Sequence, residues 1–180
     1  MVVTRVALVG LRCTGKTTVG RLLAARLGWD AVDSDDVVEA NAGKSVARIF
    51  ADDGEARFRV GEADAIRQLC GRERIVIATG GGAILRPETR TLLQQSCYVV
   101  WLTASPDAIA KRMTADPETL ARRPSLTGQG VVEEVAAVLA VREPLYREVA
   151  HLVVDTDERR PDEIAAEIAA EIKRAVQAKG

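Results

Sequence analysis

Residues 5–24, "RVALVGLRCTGKTTVGRLLA", constrain this chain more than any other stretch. An apolar β pattern from Val6 to Val9 runs into Gly10-Leu11-Arg12-Cys13-Thr14-Gly15-Lys16-Thr17, and a helical pattern starts at Lys16. The junction matches G-x-x-x-x-G-K-[ST] in its required setting, between a buried strand and a helix. A glycine-rich turn there gathers backbone N–H groups and the positive end of a helix at one point, which suits a chain of phosphates. Lys16 then reaches the β and γ oxygens and the Thr17 hydroxyl serves Mg²⁺. A turn that binds nothing would not need Lys and Thr at those offsets. Cys13 reads as a small filler in a variable position rather than a nucleophile.

Apolar runs recur at Val6–Val9, Ala31–Val32, Ile75–Ala78, Tyr98–Leu102 and Leu152–Val154. Continuous Val, Ile and Leu suit strands covered on both faces. Helical patterns separate them over Lys16–Leu27, Glu55–Cys70, Pro87–Gln95, Pro106–Met113, Val131–Val149 and Pro161–Ala178. Such alternation predicts an α/β fold with a parallel sheet and right-handed crossovers. At 180 residues a single domain is expected,. Acidic and basic residues number 26 and 25, with no long block of either sign, which argues for a globular protein and against one that coats nucleic acid,. The N-terminal apolar stretch is too short to span a bilayer and leads into the glycine turn, so a buried strand in a cytoplasmic protein is expected. Cys13, Cys70 and Cys97 fit neither a zinc site nor a disulfide framework and read as reduced thiols,. Two polar, interrupted stretches, residues 34–59 and 114–130, look irregular, and the second is long enough for a mobile flap,.

A phosphate loop identifies a nucleoside triphosphate, not a reaction. No Asn-Lys-x-Asp motif occurs to read guanine, and motor or transport ATPases are generally much larger, which leaves a small-molecule kinase in front. The acceptor side has three candidate features. In "AVDSDD", alternation along an extended segment would point Asp33 and Asp35 the same way, toward Mg²⁺ and an acceptor hydroxyl; the same letters also suit a solvated acidic helix cap,. In "EARFRVGEAD", Arg59 with Glu62 three residues on could hold an anionic substrate, or form an ordinary surface salt bridge,. In "ATGGGAIL", Gly80, Gly81 and Gly82 follow a strand where many phosphate-loop proteins carry an acidic metal helper; here Asp33 is the better candidate for that duty.

Taken together, "GLRCTGKTTVGRLLA", "DSD", "IFADDGEARFR", "ATGGGAIL", "RRPSLTG" and "REPLYREVAHLVVDT" resemble shikimate kinases in order and spacing over nearly the whole chain. The resemblance implies a nucleoside-monophosphate-kinase-like three-layer sandwich. Its central sheet would have five parallel strands in the order 2-3-1-4-5, within a single domain over 1–180. Residues 34–61 would form a helical shikimate-binding insertion, and about 113–130 a mobile lid. Cys13, Thr14, Gly15, Lys16, Thr17 and Thr18 would hold the ATP phosphates, with Thr17 and Asp33 serving Mg²⁺. Asp35 would orient or deprotonate the attacking hydroxyl. Arg59 and Arg142 would grip the shikimate carboxylate, with Glu62 orienting them. Arg123 would be the lid arginine, chosen over Arg122 because it directly precedes Pro124; Arg112 would be a second phosphate contact, and Arg159 would lie in the loop beside adenine.

With no side chains in the way, Gly81 and Gly82 could offer N–H donors to a small polyol, so that Gly81→Val is expected to obstruct shikimate far more than ATP. His151, the one histidine, stands at the start of a strand pattern without a cluster around it and reads as structural,. The resemblance favours a monomer, and nothing suggests contact with a membrane or nucleic acid. A kinase for gluconate or another polyhydroxy acid is the competing enzyme reading. A nucleotide-binding regulatory module is the competing non-enzyme reading.

Overall fold

The computed structural model describes residues 3–115 and 130–177. Five strands, β1 (Arg5–Val9), β2 (Asp30–Asp33), β3 (Ile75–Ala78), β4 (Tyr98–Thr103) and β5 (Leu152–Asp155), form one sheet in the order β2-β3-β1-β4-β5. Every pairing is parallel, with Val6 opposite both Val76 and Tyr98. Of the seven described α-helices, six lie between strands, α1 (Lys16–Leu27), α2 (Ser34–Ala42), α3 (Val46–Cys70), α4 (Pro87–Ser96), α5 (Pro106–Ala115) and α6 (Val131–Val149), and α7 (Pro161–Gln177) follows β5. The expected strand order and parallel pairing are met. No helix among the described residues is long and apolar enough to cross a membrane.

Strand alternation explains the three layers. Val6 and Leu8 of β1 pack with Val19 and Leu23 of α1 and Ile164 and Ile168 of α7. Ala7 and Val9 point the other way, into a core with Ile66 and Leu69 of α3, Leu93 of α4 and Tyr146 and Val149 of α6,. Because both faces are covered, the strands carry apolar residues throughout, as their sequences indicate. Cys70 and Cys97, distant in sequence, meet in the second core with their sulfurs 3.8 Å apart, and none of the three cysteines is in a disulfide.

The stretch 34–59, expected to be irregular, is largely helical. Local chemistry bounds each piece. Asp33 caps α2 by accepting the Asp35 N–H at 3.0 Å, and Gly43 ends that helix at a φ of 67°. Ser45 caps α3, and Gly54, at φ 80° and ψ 170°, interrupts it. Only one side of this unit is buried, through Val38, Val46, Ile49 and Phe58, so its short helices read as polar and broken,.

The crossover leaving β1 runs toward β2, whereas that leaving its neighbour β4 runs toward β5. Connections departing in opposite directions open a crevice at the carboxyl ends of these strands. The glycine turn after β1 sits there.

Candidate active site

Gly10 leaves β1 with a φ of 144°, and a Cβ there would overlap the Leu102 carbonyl of β4, so this position admits no side chain,. The turn then folds around one carbonyl: Thr14 Oγ1 donates to Leu11 O at 2.9 Å and Lys16 Nζ at 2.7 Å. Cys13 adopts a φ of 62°, left-handed backbone that costs a non-glycine residue about 1–2 kcal/mol,. Arg112 helps hold it there. Its Nη1 donates to the Cys13 carbonyl at 3.2 Å and to Thr156 Oγ1 at 3.0 Å, tying the turn to the end of β5.

Thr17 Oγ1 donates to Asp33 Oδ2 at 2.7 Å, joining the turn to the end of β2. Asp33 and Asp35 are not alternating residues of one extended segment. The strand stops at Asp33, which uses its other oxygen to cap α2, and Asp35 lies in the first turn of that helix. Cap geometry, not strand alternation, brings both carboxylates to one cavity. Cap and site were competing readings of "DSD"; the cap is present, and it leaves both carboxylates lining the same cavity. The cavity has a volume of about 360 Å³, and its wall includes Lys16, Thr17, Asp33, Asp35, Gly81 and Arg112.

The glycine run also lines the cavity, through Gly80 and Gly81. Gly80 N–H donates to Ser34 Oγ at 3.0 Å, which fastens the run to the start of α2. From α3, Arg59 Nη1 reaches Glu62 Oε2 at 2.7 Å and Nη2 reaches Glu55 Oε1 at 3.0 Å. This is no ordinary surface bridge, since the Arg59 and Glu62 side chains are only 13% and 3% exposed. Burial opposes the Arg59 charge, but the adjacent Glu62 and then Glu55 carboxylates outweigh it, and the guanidinium pKa stands above its ordinary value,. From α6, Arg142 Nη1 donates to the Gly81 carbonyl at 3.2 Å. Two arginines far apart in sequence thus converge on three glycines.

What fills the room left by those glycines differs from one to the next. A Cβ on Gly80 would overlap the Glu62 carboxylate and lie 2.9 Å from Asp35 Oδ1; one on Gly82 would overlap the Arg59 guanidinium. One on Gly81 would instead stand 3.3 Å from Arg12 N and 3.4 Å from Gly10 O, against the phosphate loop itself. The expectation that Gly81→Val obstructs the acceptor selectively is therefore revised: it should weaken ATP binding too. Gly82→Ala becomes the acceptor-selective change. Displacing Arg59 without removing it should raise the acceptor KM by about tenfold, a partial loss of its charge-assisted contact, with the ATP KM little altered. Steady-state kinetics of both variants decide this, and equal sensitivity to the two substrates in Gly82→Ala would refute it.

The predicted residues of the turn, Cys13, Thr14, Gly15, Lys16, Thr17 and Thr18, lie together with Asp33, Asp35 and Arg112. Arg59, Glu62, Gly82 and Arg142 do not line the 360 Å³ cavity themselves, but Arg59, Glu62 and Arg142 touch the glycine run, which lines it through Gly80 and Gly81. Arg159 does not line the cavity; it donates to the Asp155 carbonyl and pairs with Glu167 at 2.5 Å. Arg123, with residues 116–129 of the predicted lid, lies outside the described residues. His151 is structural as expected, its Nδ1 accepting the Val99 N–H at 2.9 Å and its ring stacked on Tyr98. Three residues escaped sequence reasoning: Ser34, Tyr146, whose hydroxyl donates to the Gly81 carbonyl, and Glu134, paired through Oε1 with Arg12 at 3.3 Å. Only their contacts mark them, and contacts have no signature in a single sequence.

The model of the family described as shikimate kinase matches residues 12–173. A shikimate kinase of Rhodopirellula baltica is 47% identical over 161 residues, 89% of this chain and 86% of that protein. One of Oleidesulfovibrio alaskensis is 43% identical over 176 residues, 98% of this chain and 99% of that protein. Among solved structures, shikimate kinase from Acinetobacter baumannii in complex with shikimate superposes with a TM-score of 0.89 at 35% identity, covering 96% of this chain and 94% of that one. A gluconokinase from Sinorhizobium meliloti, at 19% identity and a TM-score of 0.63, shares the fold. With a family match over most of its length and relatives this similar, the chain belongs to the shikimate kinase family.

Proposed function

We propose that this chain transfers the γ-phosphate of ATP to the 3-hydroxyl of shikimate, giving shikimate 3-phosphate and ADP on the route to chorismate and the aromatic amino acids. The observation that carries the proposal is the meeting of Arg59 and Arg142 at the glycine run, which lies beside Asp35 and against the phosphate loop. A pair of guanidiniums with a carboxylate on the same glycine run suits a small hydroxy acid held by its carboxylate, with one hydroxyl presented to the γ-phosphate.

Phosphoryl transfer depends chiefly on positioning and on neutralising charge spread over the phosphoryl oxygens. Lys16 supplies a positive charge at the loop, and the N–H groups from Cys13 to Thr18 cradle the phosphates. Arg112 supports the loop through Cys13 and adds charge at the cavity wall. Asp35 accepts the hydrogen of the attacking hydroxyl or aligns it. Arg59 and Arg142, with Glu62 holding Arg59, bind a part of the acceptor that does not react, so their loss should appear mainly in the acceptor KM. Thr17 Oγ1 and Asp33 Oδ2, hard oxygen donors 2.7 Å apart at the cavity wall, fit Mg²⁺, Asp33 through the ion's water shell,. Mg²⁺ there would offset phosphate charge during transfer. We assign Arg123 to a lid over about 113–130 and Arg159 to the adenine end, and residues 34–61 to shikimate recognition within a single domain. Cysteines without a disulfide suit the cytoplasm, and the large apolar residues exposed among those described are four valines, Val60, Val132, Val141 and Val153, which suits a monomer,.

ADP release by purified protein with ATP, Mg²⁺ and a panel of hydroxy acids tests the reading. Shikimate should support the fastest turnover. Faster turnover with gluconate or quinate at equal concentration would overturn the acceptor, and no stimulation by any acid would overturn the transfer itself.

A further inference from the structure

We propose that Tyr146 is a positioning residue for the acceptor: by clamping the Gly81 carbonyl it orients the Gly82 N–H that meets the substrate. The proposal rests on the assignment of the glycine run to the shikimate site. The Tyr146 hydroxyl donates to Gly81 O at 2.5 Å. Its ring is 1% exposed and stacked on Trp101 of β4, with centroids 5.8 Å apart and planes 22° from parallel. The hydroxyl is therefore carried by the core and cannot follow a moving loop.

A trans peptide is planar, and its C=O points opposite to the N–H of the next residue. Fixing the Gly81 oxygen on the Tyr146 side thus turns the Gly82 N–H to the other side of the run. The preceding peptide is fixed by a different device, the Ala83 N–H donating to Gly80 O at 3.1 Å, which sets the Gly81 N–H. Among the described residues neither the Gly81 nor the Gly82 N–H meets a protein acceptor. Glycines without such tethers would let both peptides rotate, because no Cβ restricts them. The run is open for the acceptor but held rigid from beneath.

Arg142 shares the Gly81 carbonyl at 3.2 Å. A guanidinium has five N–H donors, so Arg142 can touch this carbonyl and still present others to a carboxylate. Without the Tyr146 hydroxyl, the same arginine would have to steady the peptide as well as grip the substrate. The two duties compete. A buried tyrosine that merely satisfies its hydroxyl would contribute stability without altering acceptor recognition, and this difference separates the two roles.

Tyr146→Phe keeps the ring and its stacking while removing the donor. We expect the shikimate KM to rise by about fivefold, the loss of one neutral hydrogen bond, with the ATP KM unchanged. Hydrogen exchange at the Gly82 amide should also be faster than in the unsubstituted protein. An unchanged shikimate KM, or a parallel rise in both KM values with a lower Tm, would overturn the proposal; so would unchanged exchange at Gly82. Arg59→Ala serves as the control: if it too leaves the shikimate KM unaltered, the acceptor site itself has been misplaced, whereas a raised KM there with none in Tyr146→Phe defeats only the role of Tyr146.

Discussion

Asp35→Asn is expected to lower kcat by about 10²–10⁴-fold, the range for removing a positioned general base. The substitution keeps the volume of the side chain and the backbone N–H that Asp33 accepts at 3.0 Å, so the cap of α2 survives. What is lost is a negatively charged acceptor at the cavity wall. The Thr17–Asp33 contact and the phosphate loop are untouched, and the ATP KM should stay within about twofold, as expected for a change confined to the reacting end,. Rates of ADP release measured against each substrate in turn separate these effects. A large rise in the ATP KM would mean that Asp35 acts through Asp33 on the nucleotide, and its assignment to the acceptor hydroxyl would have to be abandoned.

Arg59→Ala should raise the shikimate KM by about a hundredfold, corresponding to about 3 kcal/mol for a charged contact made in a partly dry site. The same substitution removes the cation that lies 2.7 Å from the buried Glu62 carboxylate, so a stability loss of about 3 kcal/mol should accompany it,. The two consequences have different origins and can be separated. Adding Glu62→Gln takes away the buried charge and should restore much of the Tm without restoring the KM. Arg59→Lys should recover little, because an ammonium cannot reach Glu62 and Glu55 and also present a flat pair of donors to a carboxylate,. If the double variant regained normal shikimate saturation, Arg59 would be a structural cation and not a substrate contact.

Much of the scaffold was legible because its signals are local. The run Val6–Val9 marks β1 to within one residue, the turn to Thr17 and the stop at Gly28 mark α1, and Pro87 and Pro106 mark the first turns of α4 and α5. The insertion was less legible. Its helical pieces start at the polar caps Asp33 and Ser45 and are interrupted at Gly43 and Gly54, so the apolar period of Val38, Val46, Ile49 and Phe58 is lost among charges. The pairing of Asp33 with Asp35 was recognised, but through the wrong geometry: where a strand ends depends on its neighbours, and β2 stops opposite Ala78 of β3.

By itself the sequence determined that a nucleotide's phosphates are held between a strand and a helix, that the sheet is parallel and wrapped on both faces, and which charged residues are candidates for the acceptor. These follow from spacing and periodicity along the chain, where each rule involves residues close in sequence. Only the tertiary structure decided what the three glycines are for. Gly81 lies against the phosphate loop, Gly80 and Gly82 leave room for Glu62 and Arg59, and Tyr146 and Arg142 arrive from a helix far along the chain to hold the Gly81 carbonyl. Such long-range approaches depend on how helices pack across the sheet, and a glycine in a sequence says only that something comes close, not what it is.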